Sequence, residues 1–282
     1  MISSSRAVSG RDVAEHYDEL DPFYREIWGE HVHHGLWEAG EETAEQAVVN
    51  LVRSVAERGR IHAGSRVCDV GCGYGATARL LAFEYGAVVS GVTISSAQYR
   101  HAIMQGGGAS NPSYHLCDWL DNHLQSGVFD VVLSIESSEH MEDKGIFFEQ
   151  ASRVMRKGGR IVVCAWLAAG QPTARLARRY ILEPICREGR LPGMGTEADY
   201  RNWLSEAGLV LERFEDVSAQ VKKTWVICAR RLLWKLLCRP EYLRFLFNGH
   251  ATNRIFAATI VRIWLAYAFQ IMRYGIFTAR KK

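Results

Sequence analysis

Three short stretches carry the residues whose types and spacing could do chemistry. The first is Val67-Cys68-Asp69-Val70-Gly71-Cys72-Gly73-Tyr74-Gly75. An apolar strand that runs into glycines and then a helix lets backbone approach a ligand closely, because glycine has no Cβ to clash. Gly71, Gly73 and Ala76 by themselves also satisfy the dinucleotide pattern G-x-G-x-x-G/A. Two features point elsewhere. The ribose-binding acid of a dinucleotide fold is missing, since Val88 to Ser96 holds no acidic side chain. Asp69 sits two residues before Gly71, where a carboxylate suits a ligand with an amino group and a cationic sulfonium and would repel a pyrophosphate. The plainer reading of Asp69 is a carboxylate that steadies the turn.

The second stretch follows an apolar strand and contains Glu136, Glu139 and His140. A histidine beside a carboxylate is a base near neutral pH, so Glu139 and His140, with Glu136 close by, are the candidate proton acceptors. The alternative is that His140 only starts and caps the next loop. The third stretch is His31-Val32-His33-His34, flanked by Trp28 and Trp37. The spacing H-x-H-H lacks a carboxylate in register, and no later Cys/His cluster completes a ligand set, so no metal is expected. Trp28, His31, His34 and Trp37, with Trp225 further on, are read as a substrate wall. Aromatic walls suit a hydrophobic substrate or a cationic intermediate, with core packing as the alternative.

These residues need elements to position them. Helical spacing predicts helices over Asp12–Trp28 and Ala44–Arg58. Strands and helices then alternate. Strands are expected at Arg66–Val70, Ala87–Val92, Ser113–Cys117, Phe129–Ile135 and Arg160–Ala165. Helices are expected at Ala76–Tyr85, Ser96–Gln105 and Lys144–Met155, the last stopped by Gly158-Gly159. A helix over Thr196–Ala207 and a strand over Leu209–Val217 follow. About fifty helical residues then precede a last strand, Arg273–Arg280. This order implies a doubly wound α/β fold with a mostly parallel sheet. The expected organisation is an N-terminal helical cap (1–60), a ligand-binding core (61–217), a helical lid (218–271) and the final strand of the core (272–282).

The chain has 282 residues, 48% hydrophobic and 23% charged, which excludes a disordered or fibrous protein. Its net charge of +3 hides a division. From Ser218 onward there are 13 Lys or Arg and one acid, Glu241, a net +12, against −9 in the first 217 residues. Seven cysteines without a C-x-x-C pair, and an N-terminus without the apolar core of a signal peptide, point to a reducing, cytoplasmic setting. The longest apolar stretch, Ile255–Ile271, is interrupted by Arg262 and reads as a buried or interfacial helix.

Four motifs in order carry a family resemblance. They are Tyr17-Asp18 through His34-Gly35, the glycine turn, Gly91-Val92-Thr93-Ile94-Ser95-Ser96-Ala97-Gln98, and Ser134-Ile135-Glu136-Ser137-Ser138-Glu139-His140-Met141. Over nearly its whole length the chain resembles a class I S-adenosylmethionine-dependent methyltransferase. Within that fold it resembles the gamma-tocopherol C-methyltransferase group and its relatives, including the alkaloid N-methyltransferases and the cyclopropane/mycolic acid synthases. The resemblance implies a Rossmann-like seven-stranded sheet with the lid inserted before the last strand. It implies S-adenosyl-L-methionine as cofactor and S-adenosylhomocysteine as product. Asp69, Gly71 and Gly73 would line the methionine and ribose side, Thr93 and Gln98 the ribose or the backbone near adenine, and Ile135 the same pocket. Asp118 would accept from the adenine amino group with Trp119 on the ring, unless Trp119 simply packs. Tyr17 would reach the methionine end.

The lid sequence Val221–Phe247 puts Trp225, Cys228, Leu232 and Leu236 on one stripe interleaved with Arg230, Arg231, Lys235 and Arg239, and Asn253–Gln270 continues it. Its apolar residues imply a lipid-like or prenylated substrate. Its charge has three readings: peripheral contact with an anionic membrane, an anionic substrate head, or a face balancing the acidic body. Nucleic acid is not expected as a partner. The favoured function is C-methylation of a prenylated phenol or isoprenoid. N-methylation of an indole- or alkaloid-type amine and methylation of a prenyl diphosphate are the alternatives, and cyclopropanation is weaker because Glu136-Ser137-Ser138 departs from that branch. A silent lipid-binding protein of the same fold is the non-enzymatic alternative.

Overall fold

Two capping boxes open the first two helices. Ser9 and Asp12 exchange side-chain and backbone hydrogen bonds at the start of α1 (Gly10–Ile27), and Thr43 and Gln46 do the same for α2 (Ala44–Gly59). Val13, Leu20, Tyr24 and Ile27 form the buried face of α1. The computed structural model describes residues 1–106, 110–170, 175–247 and 256–282.

Among these residues the strands are β1 (Ile2–Ser3), β2 (Arg66–Val70), β3 (Val88–Thr93), β4 (Ser113–Leu116), β5 (Phe129–Ile135), β6 (Met155–Ala168), β7 (Gly193–Met194), β8 (Leu209–Asp216) and β9 (Met272–Lys281). Seven of them form one sheet in the order β4-β3-β2-β5-β6-β9-β8. The pairs from β4 to β6 are parallel, and β9 runs antiparallel between β6 and β8. Central β2 and β5 are buried on both faces, which is why they read as continuous apolar runs. The order reverses between β2 and β3 on one side and β5 on the other, and the glycine turn leaves β2 at that crevice, where open α/β sheets bind ligands.

The expected helix over Lys144–Met155 ends one residue early, at Val154, and Gly158-Gly159 is not its stop. Both glycines lie inside β6, beside an irregularity in its pairing with β5. A Cβ on Gly159 would come within 3.1 Å of the Asp130 carbonyl and 3.2 Å of the Phe129 carbonyl, so Gly159 serves close strand contact, whereas Gly158 has open space at its Cβ and a φ of 76°. The small antiparallel pair of β1 with β7, and the helical run from Arg175 to Glu188, have no counterpart in the sequence reading.

The lid region contains helices at Ser218–Val221, Lys223–Cys238, Pro240–Phe247 and Phe256–Ala268. The expectation for residues 248–255, including Asn253 and Ile255, lies outside the described residues. Trp225 and Cys228 are buried on the expected stripe, while Leu232 and Leu236 further out are half-buried. One apolar cluster joins Leu51 and Val55 of α2, Val67 and Val131 of the sheet, and Trp225, Ile260 and Ile263 of the lid. Three lid cations pair with acids of the body, Arg231 with Glu45, Lys235 with Glu26 and Arg262 with Glu188, and Arg273 of β9 pairs with Asp216 and Glu197. These contacts match the third reading of the charge. Among the described residues no helix is long and apolar enough to cross a membrane.

The N-terminal helix is held over the crevice by one carboxylate. Asp18 accepts from the Ser95 hydroxyl (2.5 Å), the Ser96 hydroxyl (2.8 Å) and the Ala97 amide (3.0 Å), at the start of the helix Ser96–Gln105. Burial opposes its charge, but these donors win and hold its carboxyl below the usual range. Asp18→Ala should therefore destabilise the protein by about 2 kcal/mol in urea unfolding, the size of hydrogen bonds to a charged group. A loss near zero would show that α1 is seated by its apolar face alone.

Candidate active site

The glycine turn is built from positive φ angles. Gly71, Gly73 and Gly75 have φ of 75°, 54° and 77°. A Cβ at Gly71 would lie 2.2 Å from that of Ser137, so residue 71 must be glycine for β2 and β5 to end side by side. A Cβ at Gly73 would meet nothing within 4 Å, because the turn faces open space there. Asp69 is 2% exposed below the turn, and its Oδ2 has no hydrogen-bond partner among the described residues. Burial pushes its carboxyl up to about 7. A buried, unpartnered carboxylate behind an open glycine cradle fits a ligand that brings a cationic amino group.

In front of the turn lies a cavity of about 100 Å³. Gly71, Gly73, Thr93, Gln98, Asp118, Trp119, Ile135 and Tyr17 line it, bringing together eight of the nine expected cofactor residues. Asp69 is the ninth and sits behind the cradle. Thr93 donates to Gln98 (2.9 Å), and Asp118 caps the short helical turn after β4 through the Leu120 amide (2.9 Å). Trp119 is packed in the core, its indole N–H donating to the Phe147 carbonyl (3.2 Å), and it also lines the cavity. Gly10, at the start of α1, closes the same cavity against Asp118.

A second, smaller cavity of about 60 Å³ adjoins the first. Both are lined by Tyr17, Val32, Glu136 and His140. The second adds Trp28, His34, Glu139, Trp166, Trp225 and Ile263. Trp225 packs edge-on against Trp28 and Trp166, with ring centroids 6.1 and 5.6 Å away. The expected substrate wall thus divides. Trp28, His34 and Trp225 face the inner cavity, whereas His31 and Trp37 line an open groove between α1, α2 and the Lys223–Cys238 helix. Trp37 is a buried anchor there, with its indole N–H on the Glu42 carbonyl and its amide on the Gln220 carbonyl. The histidine run does not converge on a point. His31 bonds His33 (3.2 Å), His33 donates to the His34 carbonyl (2.8 Å), and His34 turns inward.

Glu136 is the most constrained of the ionisable groups. It has φ of 55°, sparsely populated by non-glycine residues. Its Oε1 accepts from the His34 amide (2.7 Å), the His34 ring (2.9 Å) and the Tyr274 hydroxyl (2.7 Å), and its Oε2 from the Trp166 indole (2.9 Å). The Trp225 indole can only donate, so His34 accepts at Nε2 and carries its proton on Nδ1, facing Glu136. Burial works against ionisation of Glu136, but the His34 ring and amide overcome it and pull the carboxyl to about 2. Glu139 goes the other way. Burial raises it to about 7, the Trp166 amide (2.5 Å) resists, and the Glu136 charge adds to the rise. His140 is pushed down to about 4 by burial and by His16. Its Nδ1 donates to the Arg190 carbonyl (3.3 Å), which leaves Nε2 to accept from the Tyr17 hydroxyl (2.9 Å). Three neighbouring groups are thereby driven to different protonation ranges, which is how acid and base roles are separated.

Trp166, Tyr274, Asp18 and Arg190 were missed by sequence reasoning. Trp166 follows directly on the strand read as Arg160–Ala165, and Tyr274 lies within the expected last strand, but neither has a local signature. Asp18 was visible within the Tyr17-Asp18 motif.

The sheet order, the glycine turn and the paired cavities define the class I methyltransferase fold. A family model described as mycolic acid cyclopropane synthetase matches residues 4–236, and the chain belongs to that family. It is 30% identical over 291 residues to the chloroplastic tocopherol O-methyltransferase of Arabidopsis thaliana, covering 96% of this chain and 82% of that protein. It is 30% identical over 278 residues to the 27-O-demethylrifamycin SV methyltransferase of Amycolatopsis mediterranei, covering 96% and 97%. The crystal structure of the mycolic acid cyclopropane synthase CmaA1, complexed with S-adenosylhomocysteine and CTAB, superposes with a TM-score of 0.85 at 19% identity, covering 99% of this chain and 100% of that one. This chain is an S-adenosylmethionine-dependent methyltransferase.

The Asp69 carboxyl gives the cofactor site a pH signature. Raised to about 7, it is largely protonated at pH 6, and binding an ammonium group then requires proton release. Affinity for S-adenosylhomocysteine should rise about fivefold from pH 6 to pH 7 and about tenfold by pH 8, where it levels off. Asp69→Asn should bind more weakly with a flat profile. Calorimetry in buffers of different ionisation enthalpy checks this, and an unchanged profile in the variant would remove Asp69 from the site.

Proposed function

We propose that the protein transfers a methyl group to an apolar small molecule at the junction of the two cavities, with C-methylation of a prenylated phenol or isoprenoid as the first choice. The observation that carries this is the shared wall of Tyr17, Val32, Glu136 and His140 between a glycine-cradled polar cavity and an indole-lined apolar one. The tocopherol methyltransferase relative supports an apolar acceptor by its name.

S-adenosylmethionine, when bound, supplies an electrophilic methyl on a cationic sulfur. In our reading Asp69 holds its ammonium group, Gly71 and Gly73 let it lie against the backbone, Asp118 and Trp119 take the adenine, and Thr93, Gln98 and Ile135 shape the space between. Tyr17 reaches the methionine end with its hydroxyl steered by His140. Glu139 is the base: at about 7 its carboxyl is matched to drawing a phenolic proton, which activates the ring carbon for attack. Glu136 stays anionic throughout. Its fixed charge, beside Trp28, Trp166 and Trp225, would lie on the side of the positively charged methyl as that methyl passes to the acceptor. That feature also favours a second reading, N-methylation of an indole- or alkaloid-type amine, whose product is cationic. Methylation of a prenyl diphosphate is the remaining alternative. An apolar acceptor of this kind partitions into membranes, which suits a lid in peripheral contact with one.

Transfer of label from S-adenosyl-[methyl-14C]methionine to tocopherol-like phenols, indole amines and prenyl diphosphates separates these readings. Label in the phenols at carbon supports the first. Binding of S-adenosylhomocysteine with transfer to none of them would favour a silent lipid-binding protein. With the accepted substrate, kcat should rise with pH through about 7 as Glu139 ionises. Glu139→Gln should lower kcat at least about 100-fold, the scale of general base catalysis, and remove that limb. Cofactor affinity should stay within a few fold. Full activity in Glu139→Gln would overturn the base assignment, and full activity in His140→Ala would remove the steering of Tyr17.

A further inference from the structure

The lid helices are apolar on two sides. The inner side of the Lys223–Cys238 helix buries Trp225 and Cys228, and that of the Phe256–Ala268 helix buries Ile260 and Ile263. Their outer sides present Leu233, Trp234 and Leu237, and Val261 and Trp264, each between 47% and 74% exposed. A helix that is apolar all round is normally enclosed by protein or lipid, and exposed apolar patches of this kind mark interaction sites. The two helices pack side by side, and the Arg175–Glu188 run lies against the second of them. That run adds exposed Leu176 and Tyr180. The other large exposed apolar side chains, such as Phe83, Met104 and Ile146, are scattered over the body.

The charge around this layer is mostly basic: its acids Glu183, Glu188 and Glu241 are each paired with an arginine. Residues 175–182 contain Arg175, Arg178 and Arg179 and no acid, and residues 222–239 contain six cations and no acid. Arg231 and Lys235 are turned to acids of α1 and α2. Arg175, Arg179, Lys222 and Arg230 are exposed, and Arg179 lies over the ring of Tyr180. Trp and Tyr among exposed aliphatics, rimmed by arginines, match the interface of a bilayer carrying anionic lipid. Among the described residues no helix is long and apolar enough to span a membrane, so the contact inferred is a shallow one.

We infer that the outer face of the lid is a docking surface for an anionic lipid bilayer, with Trp234, Leu237 and Trp264 entering the interface. The inner faces of these same helices supply Trp225 and Ile263 to the apolar cavity. One layer therefore touches lipid on one side and the acceptor chamber on the other. Delivery of an acceptor straight from the bilayer rests on methyl transfer to an apolar molecule; the docking itself does not.

The test is flotation of the full-length protein with vesicles of phosphatidylcholine alone and of phosphatidylcholine with phosphatidylglycerol at three to one. The expected result is a monomer that binds the mixed vesicles at least about tenfold more tightly than the neutral ones, as four exposed cations near a charged surface allow. Trp234→Ser with Leu237→Ser, and separately Trp264→Ser, should each lower that binding at least about tenfold, with S-adenosylhomocysteine affinity unchanged within twofold. Equal binding to both vesicles, no binding to either, or wild-type binding by both variants overturns the inference. So does a wild-type dimer in light scattering that the variants convert to monomer, since a second copy then covers the face. Failure of S-adenosylhomocysteine to bind the wild-type protein would instead count against the methyltransferase reading and leave the docking result standing.

Discussion

A carboxylate taken out of water is costly unless its lone pairs find donors, and Glu136 meets that cost with donors from three separate segments. The loop after α1 gives the amide and ring of His34, β6 gives the Trp166 indole, and β9 gives the Tyr274 hydroxyl. The lid enters one bond further out, through Trp225 on the far nitrogen of His34. Cap, sheet and lid are thus set in register by one buried charge at the wall between the two cavities. The left-handed backbone at Glu136 is the strain that this network holds in place. Because its carboxyl is lowered from 4.5 to about 2, the stabilisation it brings is present above pH 4.5 and is lost as pH falls toward 2.

The same low-dielectric setting explains why the neighbours differ. Glu139 lies close enough to feel the fixed charge of Glu136 and is raised by burial and by that charge together. His140 is buried and stays neutral through the physiological range, oriented by the Arg190 carbonyl. The three groups constrain one another: Glu136 is held as an anion, Glu139 titrates near neutral pH as the proposed base requires, and His140 accepts from the Tyr17 hydroxyl. The division of charge along the chain follows the same economy of space. Much of the basic tail is consumed by the acids of the body, and the outer lid keeps its apolar side chains and a rim of arginine.

The fold was legible where periodicity is local. All seven strands of the sheet were expected, most directly β2 and β5, because buried parallel strands write continuous apolar runs into the chain. It failed at Gly158-Gly159, where a pair that usually stops a helix lies inside a strand and Gly159 lets β6 approach β5. The cofactor half of the site was legible for a similar reason: its cradle is one strand, one turn and one helix. The acceptor half was not. Trp166 and Tyr274 are single residues on adjacent antiparallel strands, paired in register across the sheet, and only the topology reveals that they share a carboxylate. The aromatic run from Trp28 to Trp37 illustrates the limit. Its members alternate between an inner cavity and an outer groove because the loop turns at His34, and nothing in the residue types distinguishes the two sides.

A crystal structure with S-adenosylhomocysteine bound tests the central claim most directly. The account predicts adenine between Asp118 and Trp119, the ammonium group toward Asp69, and the sulfur at the wall formed by Tyr17, Glu136 and His140, facing the cavity of Trp28, Trp166 and Trp225. Glu136 should keep all four of its donors. A sulfur turned away from that wall, or a Glu136 carboxylate released from His34 and Trp166, would contradict it.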